Sequence, residues 1–393
     1  MTEYAIPFNR VAPVGRELEY VQQALGRGHI SGNGPFTRAC EVLLERELGI
    51  PRVLLTTSCT HALEMSALLL DVKPGDEVIV PSFTFVSTVN AFVLRGARPV
   101  FVDIRDDTLN LDERLLAGAI TPRTKAILAV HYAGVACDMA AIRGLAEERN
   151  IAVVEDNAHG LFGRFRGRPL GTFGELAALS FHETKNVSCG EGGALLINDE
   201  RLIERAEIVR EKGTNRARFL RGEVDKYTWL DVGSSYTPSD LLAAFLLGQL
   251  EARREIQRQR KEVFERYDAA VVPWARDHGV TTLAAPPDCE QPYHMYYLRL
   301  PGNLVRSRFI QALRASGILA VSHYVPLHLS SMGRRFGHAP GDLPVTERVS
   351  AEIVRLPVYP SLTEADQRTV IEAVLRFDVQ PSPAAAMLTR DAV

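Results

Sequence analysis

At 393 residues the chain is more than twice the length of a typical single core, so two domains or one large α/β unit with an appendage are expected, and a small stapled scaffold is excluded. Lys and Arg number 45 against 48 Asp and Glu, a net charge of −3 without the basic face that a phosphate backbone requires, so nucleic acid is not an expected partner. Hydrophobic residues make up 46%, yet no run approaches the roughly 20 apolar residues that span a bilayer, and the start MTEYAIPFNR lacks the pattern of a secretory signal; a cytoplasmic protein without a membrane partner is expected.

From about residue 50 to 200, short β-branched runs alternate with amphipathic stretches, the pattern of a mostly parallel sheet covered by helices. RVLLTT (52–57), EVIVP (77–81), PVFVDI (99–104), KAILAV (125–130), IAVVED (151–156) and LAALSFH (176–182) predict buried strands. HALEMSALLL (61–70), TVNAFVLRG (88–96), DERLLAGAI (112–120) and DMAAIRGLAEERN (138–150) predict the helices between them. From Ser239 to about Ala270 an Arg-, Glu- and Gln-rich stretch without proline predicts one long helix leaving the sheet domain.

The texture then changes. YHMYYLRL (293–300) alternates like a half-exposed strand, SRFIQALRASG (307–317) like a helix ending at Gly317, and TEADQRTVIEAVLRF (363–377) like a last helix. The division expected is a large domain at 1–250, a small α+β domain at 251–378 and a mobile tail at 379–393.

Five widely separated cysteines without a CxxC pair point to reduced thiols. Ten histidines supply no HExxH, and His323 and His328 in HYVPLH are separated by Pro326, so no metal site is expected. SGNGPF and GEGGA lie outside the strand–GxGxxG–helix context of nicotinamide binding.

Chemistry gathers at consecutive strand ends. Asp156 closes IAVVED, and Ser180 and Lys185 follow the next buried run; a carboxylate and an amine at these positions lie where α/β sheets place ligands. Lysine occurs 6 times against 39 arginines, which sets Lys185 apart from an interchangeable surface cation. Ser58, Cys59 and Thr60 join a strand to a helix and can present amides and hydroxyls to an anion, and Phe85 at a further strand end can stack on a ring. Taken singly, each has a plainer reading: helix cap, salt bridge, turn lysine or core aromatic. Together they suit pyridoxal phosphate, which needs an amine for its aldehyde, an anion for its ring nitrogen, a phosphate site and a flat wall.

GDEVIVPSFTFVSTVNA, FVDI, VVEDNAHG and SFHETKN in combination resemble the DegT/StrS family of pyridoxal-phosphate sugar aminotransferases, and the resemblance runs from IPFN to HYVPLH and RLPVYPSL. EKGTNRARFLRGEVDKYTWLDVGSSY resembles the branch that makes dTDP-4-amino-4,6-dideoxygalactose. The resemblance implies an α/β protein of fold type I, with a large mostly parallel sheet covered by helices on both faces and a smaller C-terminal α+β domain. It implies pyridoxal phosphate, alternating with pyridoxamine phosphate. Lys185 would be the Schiff-base lysine, Asp156 the partner of the ring nitrogen, and His159 a contact on the 3-hydroxyl side. Phe85 would stack on the ring, with Ser58, Cys59, Thr60 and Ser180 at the phosphate. Three residues depart from common family choices: Cys59 replaces a frequent Gly, His159 a frequent Gln, and Ser235 an Asn that reaches the neighbouring subunit's phosphate.

The activity implied is transfer of an amino group from an amino acid, glutamate by resemblance, to C4 of a dTDP-linked keto sugar, a 6-deoxyhexose or a pentose. A homodimer with shared active sites follows, Ser235 and Tyr236 facing the other subunit's cofactor. His323, Tyr324 and His328 are candidates to line the sugar or diphosphate. A non-catalytic cofactor-binding regulator, an aminotransferase acting at C3, and an amino-acid aminotransferase with a fixed carboxylate-binding arginine that the sequence does not place are the other readings.

Overall fold

The computed structural model describes residues 4–28 and 30–380; of the tail expected at 379–393, all but the first two residues lie outside the described residues. The strands in chain order are β1 (Arg52–Thr56), β2 (Glu77–Pro81), β3 (Arg98–Val102), β4 (Thr124–Val130), β5 (Ala152–Asp156), the hairpin β6 (Arg164–Phe165) and β7 (Arg168–Pro169), β8 (Leu176–Ser180) and β9 (Gly193–Ile197). Seven of them form one sheet in the order β1-β9-β8-β5-β4-β2-β3. Pairing is parallel from β8 to β3, whereas β9 runs antiparallel to both β8 and β1. The six predicted strands are present; β9 was not expected, because its GEGGA start reads as a loop.

Burial on both faces explains the near-continuous apolar runs. Val78, Val80, Leu128 and Val154 pack under the helices Cys59–Leu69, Val86–Val93 and Ile203–Arg210. Ile79, Ile127 and Val153 meet the opposite layer, which includes the helix Met139–Arg149. Asp138 starts that helix by accepting the Ala141 N–H at 3.1 Å, and Asn150 ends it in the left-handed conformation. DERLLAGAI forms less helix than expected: a 3₁₀ turn, Glu113–Leu115, and one α-turn, Leu116–Ala119.

The expected long helix is two, Asp240–Glu251 and Arg253–Asp277, broken at Ala252. Each half has its own core. Ala243, Ala244, Leu247 and Leu250 pack with Tyr20, Phe36 and Leu44 of the N-terminal helices, whereas Val263, Phe264, Tyr267 and Val271 join a second cluster. Asp240 caps a different helix, Pro35–Leu48, accepting the Thr37 N–H and Thr37 hydroxyl at 2.8 Å each. That contact explains Gly34, where a Cβ would lie 2.2 Å from Asp240 Oδ2.

The second cluster lies under a three-stranded antiparallel sheet of β10 (Thr281–Thr282), β12 (Tyr296–Arg299) and β13 (Ile353–Leu356). A short β11 (Cys289–Glu290) pairs with β6 in a separate small sheet, β11-β6-β7, and so joins this part to the hairpin that follows β5. β12 is buried at all four residues rather than half-exposed: it is the central strand, and Arg299 is neutralised by Glu352 and Asp106, each at 2.8 Å. We propose the break at Ala252 as the division between domains 1–250 and 251–378; the arm at Ile6 crosses it, exchanging backbone hydrogen bonds with Gly317 and Leu319. Among the described residues no helix is long and apolar enough to cross a membrane, no cluster of three or more His, Cys, Asp or Glu could hold a metal ion, and all five cysteines are free.

Candidate active site

β3 lies on one side of β2 and β4 on the other, so the winding of the sheet reverses here, and crevices beyond the carboxyl ends of strands at such a reversal are where α/β sheets bind ligands. A cavity of about 730 Å³ opens at those ends. Its walls come from the turns after β1, β2, β5 and β8, from the arm at Phe8 and Asn9, and from His294, His323, Tyr324 and Arg355 of the C-terminal part.

After β1 the chain passes directly into the helix Cys59–Leu69, with Ser58 extended and its hydroxyl accepting the His61 N–H at 3.1 Å. The remaining first-turn N–H groups have no partner within a helix and, with the macrodipole, favour an anion. β9 presses against this turn: a Cβ on Gly193 would stand 2.3 Å from the Ser58 carbonyl carbon and 2.4 Å from the Cys59 nitrogen. Gly193 is therefore what lets the strand lie beside the helix start. The Thr60 hydroxyl donates to Ser87 Oγ at 2.8 Å, binding this turn to the one after β2.

β5 ends in two carboxylates on opposite faces. Glu155 points into the fold; Asp156 faces the cavity and is 7% exposed. Its Oδ2 accepts the Thr88 hydroxyl at 2.6 Å and its Oδ1 the Ala158 N–H at 3.1 Å. Thr84 hydrogen-bonds Thr88 at 2.8 Å, so two hydroxyls one helical turn apart support the acid.

After β8 the turn that carries Lys185 is closed by its N–H donating to the His182 carbonyl at 2.9 Å. Burial pushes the Lys185 amine down to about 8, against the opposing pull of Asp156 and assisted by Arg355. The amine thus sheds its proton far more readily near neutral pH than an ordinary lysine does. Burial likewise raises the Cys59 thiol, leaving it protonated.

Three imidazoles stand in a column. His159 stacks on His294 at 4.4 Å and faces His323 at 6.3 Å, and His323 stacks on Tyr324 at 3.6 Å. Burial, then neighbouring positive charge, pushes all three rings well below the usual histidine range, so they are neutral. His159 Nδ1 accepts the Ala133 N–H at 3.3 Å, His294 Nδ1 meets Asn186 Oδ1 at 2.8 Å, and His323 Nδ1 meets the Tyr132 hydroxyl at 3.0 Å.

Lys185, Asp156, His159, Phe85, Ser58, Cys59, Thr60, Ser180, His323 and Tyr324 all line this cavity. Phe85 stands at its mouth, 58% exposed, 6.4 Å from the Tyr324 ring. His328 does not line it: the ring is fully buried, its Nδ1 2.7 Å from Ser82 Oγ and its Nε2 3.2 Å from Glu347, a packed position that joins the turn after β2 to the helix Pro344–Glu352. Ser235 is exposed outside the cavity, paired with Glu211, and Tyr236 turns into its own chain with its ring 5.1 Å from His61.

Sequence reasoning missed Thr88, His294, Gly193 and Arg355. Thr88 was legible in principle, four residues after Thr84 at helical spacing. Arg355 is on β13 of the second sheet and His294 lies two residues before β12, and only the packing of the two sheets brings them to the site.

The profile described as the DegT/DnrJ/EryC1/StrS aminotransferase family matches residues 14–375. The spore coat polysaccharide biosynthesis protein SpsC of Bacillus subtilis is 33% identical, over 94% of this chain and 95% of its own length. The aminotransferase TlmJ of Streptoalloteichus hindustanus superposes with a TM-score of 0.86 at 32% identity, over 95% of this chain and 98% of that one. The putative sugar aminotransferase Spr1654 of Streptococcus pneumoniae, in its PLP form, gives a TM-score of 0.86 at 28% identity, over 94% and 98%; its PMP form gives 0.87.

Proposed function

We propose, from the premise that the chain belongs to the DegT/DnrJ/EryC1/StrS aminotransferase family, that it moves an amino group from glutamate to C4 of a dTDP-linked 4-keto sugar, a 6-deoxyhexose or a pentose. The cofactor is pyridoxal phosphate, alternating with pyridoxamine phosphate, and the residues present fit it. A helix start opened by Gly193 suits the phosphate, Asp156 has acceptor capacity left for the ring nitrogen, and Lys185 supplies an amine. Bound there, the cofactor would supply an aldehyde that takes up the donor's amine and a ring that draws electrons from the carbon losing its proton.

The chain's own part is positional and acid–base. Lys185 holds and moves a proton at Nζ, for which an amine pushed down to about 8 is well matched. Asp156, immobilised by Thr88 and Ala158, keeps a fixed negative charge within the cavity. His159 stacks between two rings and holds one wall flat. The observation that carries the reading is the convergence of Lys185, Asp156 and the Ser58–Thr60 helix start on one cavity from three different strands. The nucleotide and the C4 position rest on the likeness of residues 211–236 to the dideoxygalactose branch. A homodimer completes the reading: Ser235 faces outward, and Phe219, Leu220, Trp229, Leu230 and Val232 nearby are exposed, Trp229 by 77%.

Incubation with glutamate and a panel of 3-keto and 4-keto nucleotide sugars, the product read by mass and NMR, tests this. Amination of a dTDP-4-keto sugar at C4 is expected; amination at C3, or turnover only of free amino and keto acids, would overturn it. Light scattering should show a dimer, and a fully active monomer would refute the shared site.

A further inference from the structure

We propose that Arg355 is the group that takes the carboxylate of the amino donor, and that Phe8 of the N-terminal arm holds its guanidinium in the plane that does so. The inference deepens the transamination reading and rests on it.

Arg355 is on β13, where its backbone exchanges hydrogen bonds with Val321, N–H to O at 2.8 Å and O from N–H at 3.2 Å. The main chain is thereby fixed, and the side chain lines the cavity that holds Lys185 and Asp156. Among the described residues it is the only arginine to do so. Most arginines of this protein that turn inward are matched: Arg210 to Glu41, Arg299 to Glu352 and Asp106, and Arg260 to the carbonyls of Tyr293 and His294. Arg355 has no carboxylate and no hydrogen-bond acceptor among the described residues, and its buried Nε is left without a partner. An unmatched guanidinium beside a buried lysine is costly to the fold and is the arrangement expected where an anion arrives from outside.

Its guanidinium lies over Phe8, whose ring centre is 4.7 Å from the guanidinium carbon. The arm is anchored on both sides of this contact, at Ile6 to Gly317 and Leu319 and at Asn9, whose amide donates to the Glu183 carbonyl at 2.7 Å. A ring on the face of a guanidinium leaves its edge donors free, and the edge is what matches a carboxylate with two parallel hydrogen bonds.

Position separates a carboxylate from the other anion this site would see. In an amino acid the carboxylate is bonded to the same carbon as the reacting amine. In a nucleotide sugar the diphosphate is on the far side of the ring from C4. Arg355 lines the same cavity wall region as Lys185, His159 and His323, which places it at the reacting end.

The test uses the holoenzyme and treats the two halves of the reaction separately. Glutamate is titrated against the aldehyde form and keto sugar against the amine form, each followed by the cofactor's absorbance. Succinate, a carboxylate that cannot react, is titrated by calorimetry. Arg355→Gln is expected to raise half-saturating glutamate and weaken succinate by about 10- to 100-fold, with the keto sugar moved less than about threefold. Arg355→Lys, which keeps the charge but not the fork, should fall between, and it decides the matter if the Gln variant does not fold. Unchanged glutamate and succinate binding would overturn the proposal, as would an equal loss in both halves or a loss confined to the nucleotide sugar. If the wild-type protein loads cofactor but accepts amine from no amino acid, the proposed function fails instead. Succinate lost in Arg355→Gln would then still support the carboxylate site, and succinate unchanged would still overturn it.

Discussion

Glu155 and Asp156 are neighbours on β5, and because successive strand residues face opposite sides they have opposite fates. Glu155 is sealed in the fold: its Oε2 accepts the Gly171 N–H and His131 Nε2 at 2.8 Å each, and its Oε1 accepts the Phe173 and Gly174 N–H groups at 2.6 and 2.7 Å. His131 in turn accepts the Cys137 N–H at Nδ1, 3.2 Å away, which assigns its proton to Nε2 and to Glu155. Asp156 has two bonds in place of four, and its open side is the cavity. The difference teaches that burial of a carboxylate does not mark a site; unused acceptor capacity does.

The largest effect expected from breaking this contrast is on turnover. Lys185→Ala should cut amino transfer by about 10⁴-fold and Asp156→Asn by about 10³-fold, neither with a loss of stability in urea. Steady-state rates beside denaturant curves check it, and an Asp156→Asn protein of near-normal activity would place Asp156 with Glu155 as a structural acid. Glu155→Gln should do the opposite. It strands His131 and the turn amides, costing about 3 kcal/mol or more by urea unfolding, while turnover per folded molecule is kept.

Acidity sharpens the same comparison. Burial raises Glu155, but His131 and the backbone amides lower it further, so its folded pKa lies below the ordinary 4.5. A depressed carboxylate stabilises the fold above the unfolded value and loses that stabilisation as pH falls through the folded one. The gap between wild type and Glu155→Gln should therefore shrink below about pH 4.5. Lys185 has the reverse sign: with the folded amine at about 8 and the unfolded at 10.5, the cofactor-free chain gains stability as pH rises through that window. Lys185→Met should abolish that rise in thermal melts taken across it.

Gly193→Ala drives a methyl into the Ser58–Cys59 turn and should weaken cofactor binding by about 1–3 kcal/mol, read by absorbance titration. The smallest effect on activity belongs to His328→Gln, within about threefold of wild type although the protein loses about 1 kcal/mol of stability, because His328 joins Ser82 to Glu347 outside the cavity. A large fall in turnover with unchanged melting would return His328 to the substrate site.

The buried strands, the strand-end Asp156 and Lys185 and the helix start at Ser58 were legible because apolar runs and the residues that end them are local properties of the chain. The helix break at Ala252 was not, since helix propensity continues across it and the break reflects two separate cores. The full burial of β12 was hidden because Arg299 reads as exposed until Glu352 and Asp106 are seen beside it. His328 read as a site residue for the converse reason: the second histidine of HYVPLH looks alike whether it meets a ligand or Ser82.

By itself the sequence determined the α/β class, the identity of the amine and the acid at the sheet's carboxyl edge, and the family, since these follow from residue type and short-range spacing. Only the tertiary structure decided which residues share the cavity with them. His294 is 109 positions from Lys185 and Arg355 is 170 away, and no local pattern records that the second sheet turns these side chains toward the first. Whether a buried polar group is matched or left open is likewise a property of its partners' positions. That is why the four-bonded Glu155 and the half-satisfied Asp156 are indistinguishable as letters and opposite as chemistry.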